Sequence, residues 1–565
     1  MFKLNLREKN NAGKIMGFLK SNYPIIMILL IAFSFRWYGI YFDYPRTNFI
    51  WDETYDMSYL MNLLEEKKLF SDNFTSSYPL LLPILYFPIT LLRMIYIALI
   101  NGLDSASAFK NHIIEYGIGK IYIVSRWYAV FFGTATVLLI YKIYRHIFNH
   151  KLSAYYAALA YTFSLIPVFL SHWGKHHSAM VFFFTMSLFF ILKFEQSKKQ
   201  KFFYLSAFAA ALSFSTHYIG ISAAIFPFCG YIFNRQILNL KSFLKGLSLY
   251  SCVALFFYLL NYKGVAWMFK EMNTNYYGAN SYGGIVPTGA VERFYYVFRD
   301  SFMLEPIFVS LFAVLIVFGL KKLIKNKLTR YILAGLAFNY FLMITIIVGP
   351  RMTRWFLIFI TLSTPLAAGY FAEYLLSKKI KKIAVYSALA LMLIPSIFFS
   401  VRWLMILRHN TYVEAGEWIE NNVAKDQIVY SFDNVLYAPL SYKAAVWNRD
   451  FNKMTDLKKM NYIIENKEHF QSKGVNLMYD KNYGRYEELA GPNTKYILVG
   501  SEAKIDIPNV EKFHKPELVK AFKPADNKEI EKRGLDTDYL NSPDNWKGIL
   551  KLEKSGPFIY IYKIL

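Results

Sequence analysis

Cysteine is nearly missing from this 565-residue chain: Cys229 and Cys252 are the only two, each inside an apolar run. They build no disulfide framework or thiolate metal site and read as small buried hydrophobes. Acidic residues are also scarce, 39 Asp and Glu against 64 Lys and Arg, for a formal net charge of +25. Such an excess would suit nucleic acid, but the cations cluster in short loops between apolar runs, where membrane topology puts them, so no nucleic-acid partner is expected. A glycine-rich nucleotide motif, an internal repeat and a low-complexity tract are absent too. What is abundant is apolar surface, with 55% hydrophobic and 19% aromatic residues. It falls in runs near the ~20 residues needed to cross a bilayer.

The pattern predicts a polytopic α-helical membrane protein. Candidate spans lie near 23–41, 121–141, 153–171, 178–194, 202–216, 218–234, 243–262, 303–320, 331–349, 355–376 and 383–401. The first follows a basic tail (Lys3, Arg7, Lys9, Lys14, Lys20), contains Arg36 and Trp37, and lacks a small-residue cleavage site, so it reads as a retained span. A further run, Pro79 to Ile100, decides sidedness. If it does not fully cross, the loops at 142–152, 193–201, 235–245, 321–330 and 378–382, all rich in Lys and Arg, share the side of the amino terminus. If it crosses, the positive-inside rule fails in all five. Residues 79–100 are therefore read as a helix that dips into or lies along the outer leaflet, helped by Pro79, Pro83 and Pro88. The expectation is about eleven or more spans in a plasma (inner) membrane, with a cytoplasmic amino terminus.

Residues 1–403 then form the membrane domain, with a first outer loop at about 42–120, and 404–565 a soluble extracytoplasmic domain of roughly 160 residues. The latter opens on a helical pattern from Tyr412 to Asn422, followed by β-rich runs at Ile428–Ser431, Tyr496–Val499 and Phe558–Tyr562, an α/β composition.

On this topology the chemistry collects on the outer face. Asp52-Glu53 lies about ten residues past the first span, and a carboxylate near a low-dielectric interface has its pKa raised toward that of a useful general base. An ordinary surface pair or helix-start charge is the plain alternative. The turn Ser171-His172-Trp173-Gly174-Lys175-His176-His177-Ser178 and the turn Thr216-His217-Tyr218 bring cationic and hydrogen-bonding groups to the same face, as do Arg351 and Arg354. Arginine forks suit phosphate, and cations placed outside run against the usual bias. Contact with lipid headgroups is the competing reading. The loop 263–301, with Tyr276, Tyr277, Tyr282, Gly283 and Gly284, suits either a sugar-stacking lid or an interfacial aromatic belt. The adjacent pair His176-His177 is poorly placed to ligate one zinc ion, and no metal site is assigned.

Trp51-Asp52-Glu53, Tyr78-Pro79-Leu80-Leu81, Ser125-Arg126 with Gly133-Thr134, Ser171-His172 and Thr216-His217-Tyr218-Ile219-Gly220 follow one another in an order that resembles the dolichyl-phosphate-mannose protein mannosyltransferase superfamily. Its prokaryotic GT-C-fold members include a relative that transfers aminoarabinose to lipid A. The resemblance implies a GT-C-like glycosyltransferase of the cell envelope. It would move a hexosyl or pentosyl group, with inversion, from a polyprenyl-phosphate-linked donor to an acceptor protein, lipid or glycan on the extracytoplasmic face. By matching position Asp52 is the catalytic base and Glu53 supports it. Donor phosphate contacts fall to Arg351, Arg354, Lys175, His176, His177 and Arg126, and acceptor or sugar contacts to Tyr55, Tyr78, His172, His217 and Tyr282. No cofactor is required. Two departures stand out. Lys175-His176-His177-Ser178 occupies the place where the family often has an Asp, which removes a second carboxylate and turns the reading from a divalent metal toward direct phosphate contact. His217 stands where a Lys is common. A flippase for lipid-linked saccharide and an inert GT-C-like binding protein are the alternatives.

Overall fold

The computed structural model describes residues 22–42, 78–105, 108–109, 112, 119–264, 266, 289–345, 353–378, 380–424, 428–431, 476–479, 494–500, 516–526, 548–556 and 558–564. Helices dominate: α1 (Asn22–Trp37), α2 (Leu81–Ile100), α3 (Gly119–Ile147), α4 (Lys151–Phe163), α5 (Leu165–Ser171), α6 (His177–Ser197), α7 (Gln200–Thr216), α8 (Ile225–Phe233), α9 (Leu240–Leu259), α10 (Ala290–Leu304), α11 (Pro306–Lys325), α12 (Lys327–Thr345), α13 (Leu357–Ser377), α14 (Lys382–Leu407) and α15 (Thr411–Asn422). Among the described residues eight helices are long and apolar enough to cross a membrane, or nine if the bent pair α4–α5 counts as one. The spans expected near 23–41 and 218–234 are shorter apolar helices, Asn22–Trp37 and Tyr218–Phe233. The second of these begins as a 3-10 turn, Tyr218–Ala224.

Burial ranks the helices. The window starting in the 3-10 turn Thr353–Phe356 and running through α13 is 89% buried, whereas α9 and α11 are 17% buried. The apolar sides of α9 and α11, such as Leu255, Leu259, Val317 and Phe318, therefore face outward, as lipid-facing helices do. The turns α3–α4, α6–α7, α8–α9, α11–α12 and α13–α14 carry the Lys and Arg clusters, and Lys142, Lys151, Lys199, Lys201, Arg235, Lys241, Lys321, Lys325 and Lys381 are exposed there. The other ends of the same helices meet in one polar assembly.

The sequence reads 79–100 as a segment that returns to its own side, and the structure gives one continuous 20-residue helix, long enough to span. It packs on the first half of α3 and also on Ala179 and Phe183 of α6. Tyr128 Oη donates to the Leu85 carbonyl at 2.6 Å, and Arg93 Nε donates to the Lys120 carbonyl at 3.3 Å. Arg93 also lies over the Trp127 ring. Leu81, Leu82, Tyr86 and Ile97 share a cluster with Ile121, Tyr122 and Phe132. α2 thus runs antiparallel along the first half of α3.

The α4–α5 pair bends by 55° at Ser164. Pro167 has no N–H to give the Phe163 carbonyl, so the helix breaks and its freed groups need partners in a low-dielectric interior. They find them: Ser400 Oγ donates to the Phe163 carbonyl at 2.8 Å, Arg36 Nη1 to the Thr162 carbonyl at 3.4 Å, and Leu165 N to Glu305 Oε1 at 3.1 Å. Glu305 also accepts from the Ser164 and Ser396 hydroxyls. This buried carboxylate joins the start of α5, the start of α11 and the middle of α14.

Beyond α14 lies a five-stranded sheet, β1 (Ile428–Ser431), β2 (Asn476–Tyr479), β3 (Thr494–Gly500), β4 (Glu517–Phe522) and β5 (Ile559–Lys563), ordered β2-β1-β3-β5-β4. β1 pairs in parallel with β2 and β3, and β5 runs antiparallel to β3 and β4. The three strands and the helix expected from sequence are present; β2 and β4 are additions. Asn410 caps α15 by accepting from Tyr412 N and Val413 N. The domain is fastened to the end of α14: Arg402 donates to the Ile549 and Leu552 carbonyls, and Ser555 N donates to the Ile406 and His409 carbonyls.

Candidate functional site

The site is built where α5 ends and α6 begins. All seven residues of α5 are buried, so it works as a short rod delivering residues 172–177 into the protein. Three glycines allow the approach. A Cβ at Gly174 would overlap Ser125 Oγ on α3, one at Gly133 would overlap Ser171 Oγ and press on Arg36, and one at Gly220 would overlap the Ser213 carbonyl.

His172 is pinned rather than open. Its Nε2 lies 2.8 Å from the Tyr38 carbonyl, and the Trp403 indole N–H donates to Nδ1 at 3.4 Å. Nδ1 also lies 2.8 Å from the Val168 carbonyl, and burial pushes the pKa down to about 4. Trp403 packs edge-on against Phe169 of α5. The placement suits a positioning role better than the sugar contact expected from sequence.

The rest of the turn faces a common centre. Lys175, His176 and His177 are 3%, 1% and 1% exposed, which is unusual for cationic residues and costly unless they act on something. The Lys175 ammonium lies 4.5 Å from the centre of the Trp173 ring. The rings of His176, His177 and His217 form a near-equilateral triangle, with centroids 5.4, 5.2 and 5.3 Å apart. Two unit charges at that separation repel by on the order of 3 kcal/mol at an effective dielectric of about 20. His217 is held by its backbone: it ends α7 in an extended conformation and its Nδ1 accepts from Ile219 N at 3.2 Å. Tyr78 covers the triangle, 3.8 Å from His176 and 5.3 Å from His217 between ring centres. Its carbonyl accepts from Asn261 Nδ2 at 2.8 Å, which ties it to the end of α9. His177 also lies within electrostatic reach of Arg354, in the 3-10 turn Thr353–Phe356, and of Lys175. Both His177 ring nitrogens are buried with no hydrogen-bond partner among the described residues.

Arg126, 2% exposed, donates from Nη1 to the Ile40 carbonyl at 2.6 Å and lies over the Phe42 ring. It thereby holds the segment after α1 against α3. The structure brings Lys175, His176, His177, His217, Tyr78 and Arg354 together. Asp52, Glu53, Tyr55, Tyr282 and Arg351 lie outside the described residues. Sequence reasoning did not assign Arg36, Trp403 or Glu305 to this region. Each carried a signal, a charged or amphipathic group inside or at the edge of an apolar run. Among the described residues no group of three His, Cys, Asp or Glu side chains is spaced to hold a metal ion.

Residues 118–262 match the family model described as dolichyl-phosphate-mannose-protein mannosyltransferase. This chain is similar to that family. The match bears out the resemblance read from Ser125-Arg126 through Gly220, while the Trp51 and Tyr78 motifs precede it. No curated protein sequence matches the chain. Among solved structures, the O-mannosyltransferase Pmt1–Pmt2 complex of S. cerevisiae bound to its sugar donor is 17% identical, with 44% of this chain and 34% of that one covered, at a TM-score of 0.33. ArnT from Cupriavidus metallidurans bound to undecaprenyl phosphate is 8% identical over 96% of this chain and 98% of that one, at 0.49. The oligosaccharyltransferase AglB from Archaeoglobus fulgidus, in complex with an inhibitory peptide and a dolichol-phosphate, is 11% identical over 90% and 74%, at 0.43. The chain spans about a third of the length of the first of these.

Proposed function

We propose that this chain is a membrane glycosyltransferase that moves a hexosyl or pentosyl group from a polyprenyl-phosphate donor to an acceptor on the extracytoplasmic face, with inversion. The observation that carries the reading is the burial of Lys175, His176 and His177 beside His217 and Arg354, at the helix ends opposite the exposed basic turns. A cytoplasmic amino terminus follows from the same opposition, because cation-rich short turns face the cytoplasm of a plasma membrane.

In the reaction Asp52 accepts the acceptor hydroxyl proton as that oxygen attacks the anomeric carbon, and Glu53 orients the acceptor or supports Asp52. The bond from the anomeric carbon to the phosphate oxygen breaks, and its electron pair stays on the phosphate. The nearby group Lys175, His176, His177 and Arg354, with Arg351 and Arg126 as further contacts, answers the charge that develops there. Tyr78 and His217 border the place where the sugar would lie, with Tyr55 and Tyr282 as further acceptor or sugar contacts.

Purified protein given a polyprenyl-phosphate sugar and a hydroxyl acceptor is expected to release polyprenyl phosphate. Asp52→Asn should lower turnover by on the order of 10²–10⁴-fold, the usual contribution of a general base. Unchanged turnover in that variant would remove the mechanism.

A further inference from the structure

The three-histidine triangle presents a protonation problem that a lipid phosphate would solve. His177 is the first residue of α6, a 21-residue helix whose amino terminus carries partial positive charge. That end disfavours an imidazolium and favours an anion. Facing His177 are His176 and Lys175 from its own turn, His217 from the end of α7 and Arg354 from the 3-10 turn, with Tyr78 beyond His176 and His217. Of the imidazoles, His217 has committed Nδ1 as an acceptor for Ile219 N, so taking a proton there would break a backbone hydrogen bond. His177 has made no such commitment: both its nitrogens are buried and unpartnered among the described residues. A neutral imidazole offers one donor and one acceptor, whereas an imidazolium offers two donors. Like charges at the positive end of a helix oppose an imidazolium, and a phosphate in the same place reverses the balance.

Resting on the donor-phosphate reading above, we infer that His177 takes up a proton when a lipid phosphomonoester binds, and so distinguishes the phosphomonoester product from the phosphodiester donor. The donor is a diester with one fixed negative charge. The product is a monoester whose second ionisation lies near pH 6, so at neutral pH it is mostly a dianion. The dianion draws one proton from solvent onto the His177 ring and pairs with the resulting imidazolium, while the diester monoanion is held by the neutral ring. Product therefore binds more weakly as pH rises, and its release is faster on the alkaline side.

The test uses the full chain in detergent micelles, with farnesyl phosphate as the monoester probe and its methyl ester as the diester probe. Calorimetric titrations in buffers of different ionisation heat read the protons exchanged. The expected result is uptake of close to one proton by farnesyl phosphate at pH 8, with affinity falling about tenfold per pH unit above pH 7, and less than half a proton for the methyl ester. His177→Gln should abolish the excess uptake, with monoester binding nearly independent of pH. Farnesyl phosphate binding without proton uptake in the unmodified chain, a measurement that needs no variant to fold, would overturn the inference and leave the donor-phosphate reading standing. Unaltered uptake in a folded His177→Gln variant would remove His177 as the proton carrier. Failure of both probes to bind at any pH would overturn the donor-phosphate reading itself.

Discussion

The two ends of the helical bundle use the same residue types in opposite ways. At the basic end Lys199, Lys201, Lys241 and Lys321 are exposed. The one buried carboxylate there, Glu195, is satisfied within the fold: Lys198 Nζ lies 2.6 Å away, Asn234 Nδ2 donates at 2.8 Å and Tyr331 Oη at 2.9 Å. At the other end Lys175, His176 and His177 are inside the protein, and among the described residues the His177 ring nitrogens have no hydrogen-bond partner. Cations in water report topology. Buried Lys175, beside His176, His177 and Arg354, marks instead where charge is concentrated inside the fold, because a buried cation is costly unless it is answered.

Substitutions should break this contrast in a graded way. Lys175→Gln is expected to cost the most, lowering turnover by about 10²-fold, the order seen when one transition-state donor is lost; steady-state release of polyprenyl phosphate measures it. Gly174→Ala should follow, since its methyl would overlap Ser125 Oγ and push the turn off α3, costing about 1–3 kcal/mol in stability and lowering turnover together. Glu195→Ala at the basic end should also destabilise by about 1–3 kcal/mol, leaving Asn234 and Tyr331 without their acceptor, yet the fully folded fraction should turn over normally. Equal loss of specific activity in Glu195→Ala and Lys175→Gln would erase the distinction between the two ends.

Smaller effects sharpen it. His172 has a folded-state pKa of about 4, below the ordinary value of about 6.5, so the unfolded chain binds more protons between those limits. Stability is then full above pH 6.5 and declines as pH falls toward 4. A thermal melt series should show the midpoint dropping over that window, and the drop should shrink in His172→Gln. Smallest of all, Lys199→Gln should change stability by no more than about 0.5 kcal/mol and leave turnover alone.

Much of the framework was legible because it obeys one-dimensional rules. Run length and loop charge marked the spans and basic turns, and short β-rich runs marked β1, β3 and β5. The break at Ser164 was less visible, although Pro167 stands in the chain, because a proline states where a helix is interrupted and not which distant groups will satisfy it. Ser400, Glu305 and Arg36 do so from three other helices. Residues 79–100 were ambiguous for a similar reason. Their length permits crossing, and only the pairing of Leu85 with Tyr128 and Arg93 with Lys120 shows that the helix runs antiparallel along the first half of α3.

The sequence by itself determined that the chain enters membranes many times, that its polar motifs fall at one set of helix ends, and that an α/β segment follows, since each depends on hydropathy summed over neighbours in the chain. The tertiary structure decided which polar residues are structural and which are open. His172 and His176 stand four residues apart in one motif, but the first is locked between Tyr38 and Trp403 and the second meets Tyr78, His177 and His217. Burial and hydrogen bonding are properties of what surrounds an atom in space, and those surroundings come from helices more than a hundred residues apart.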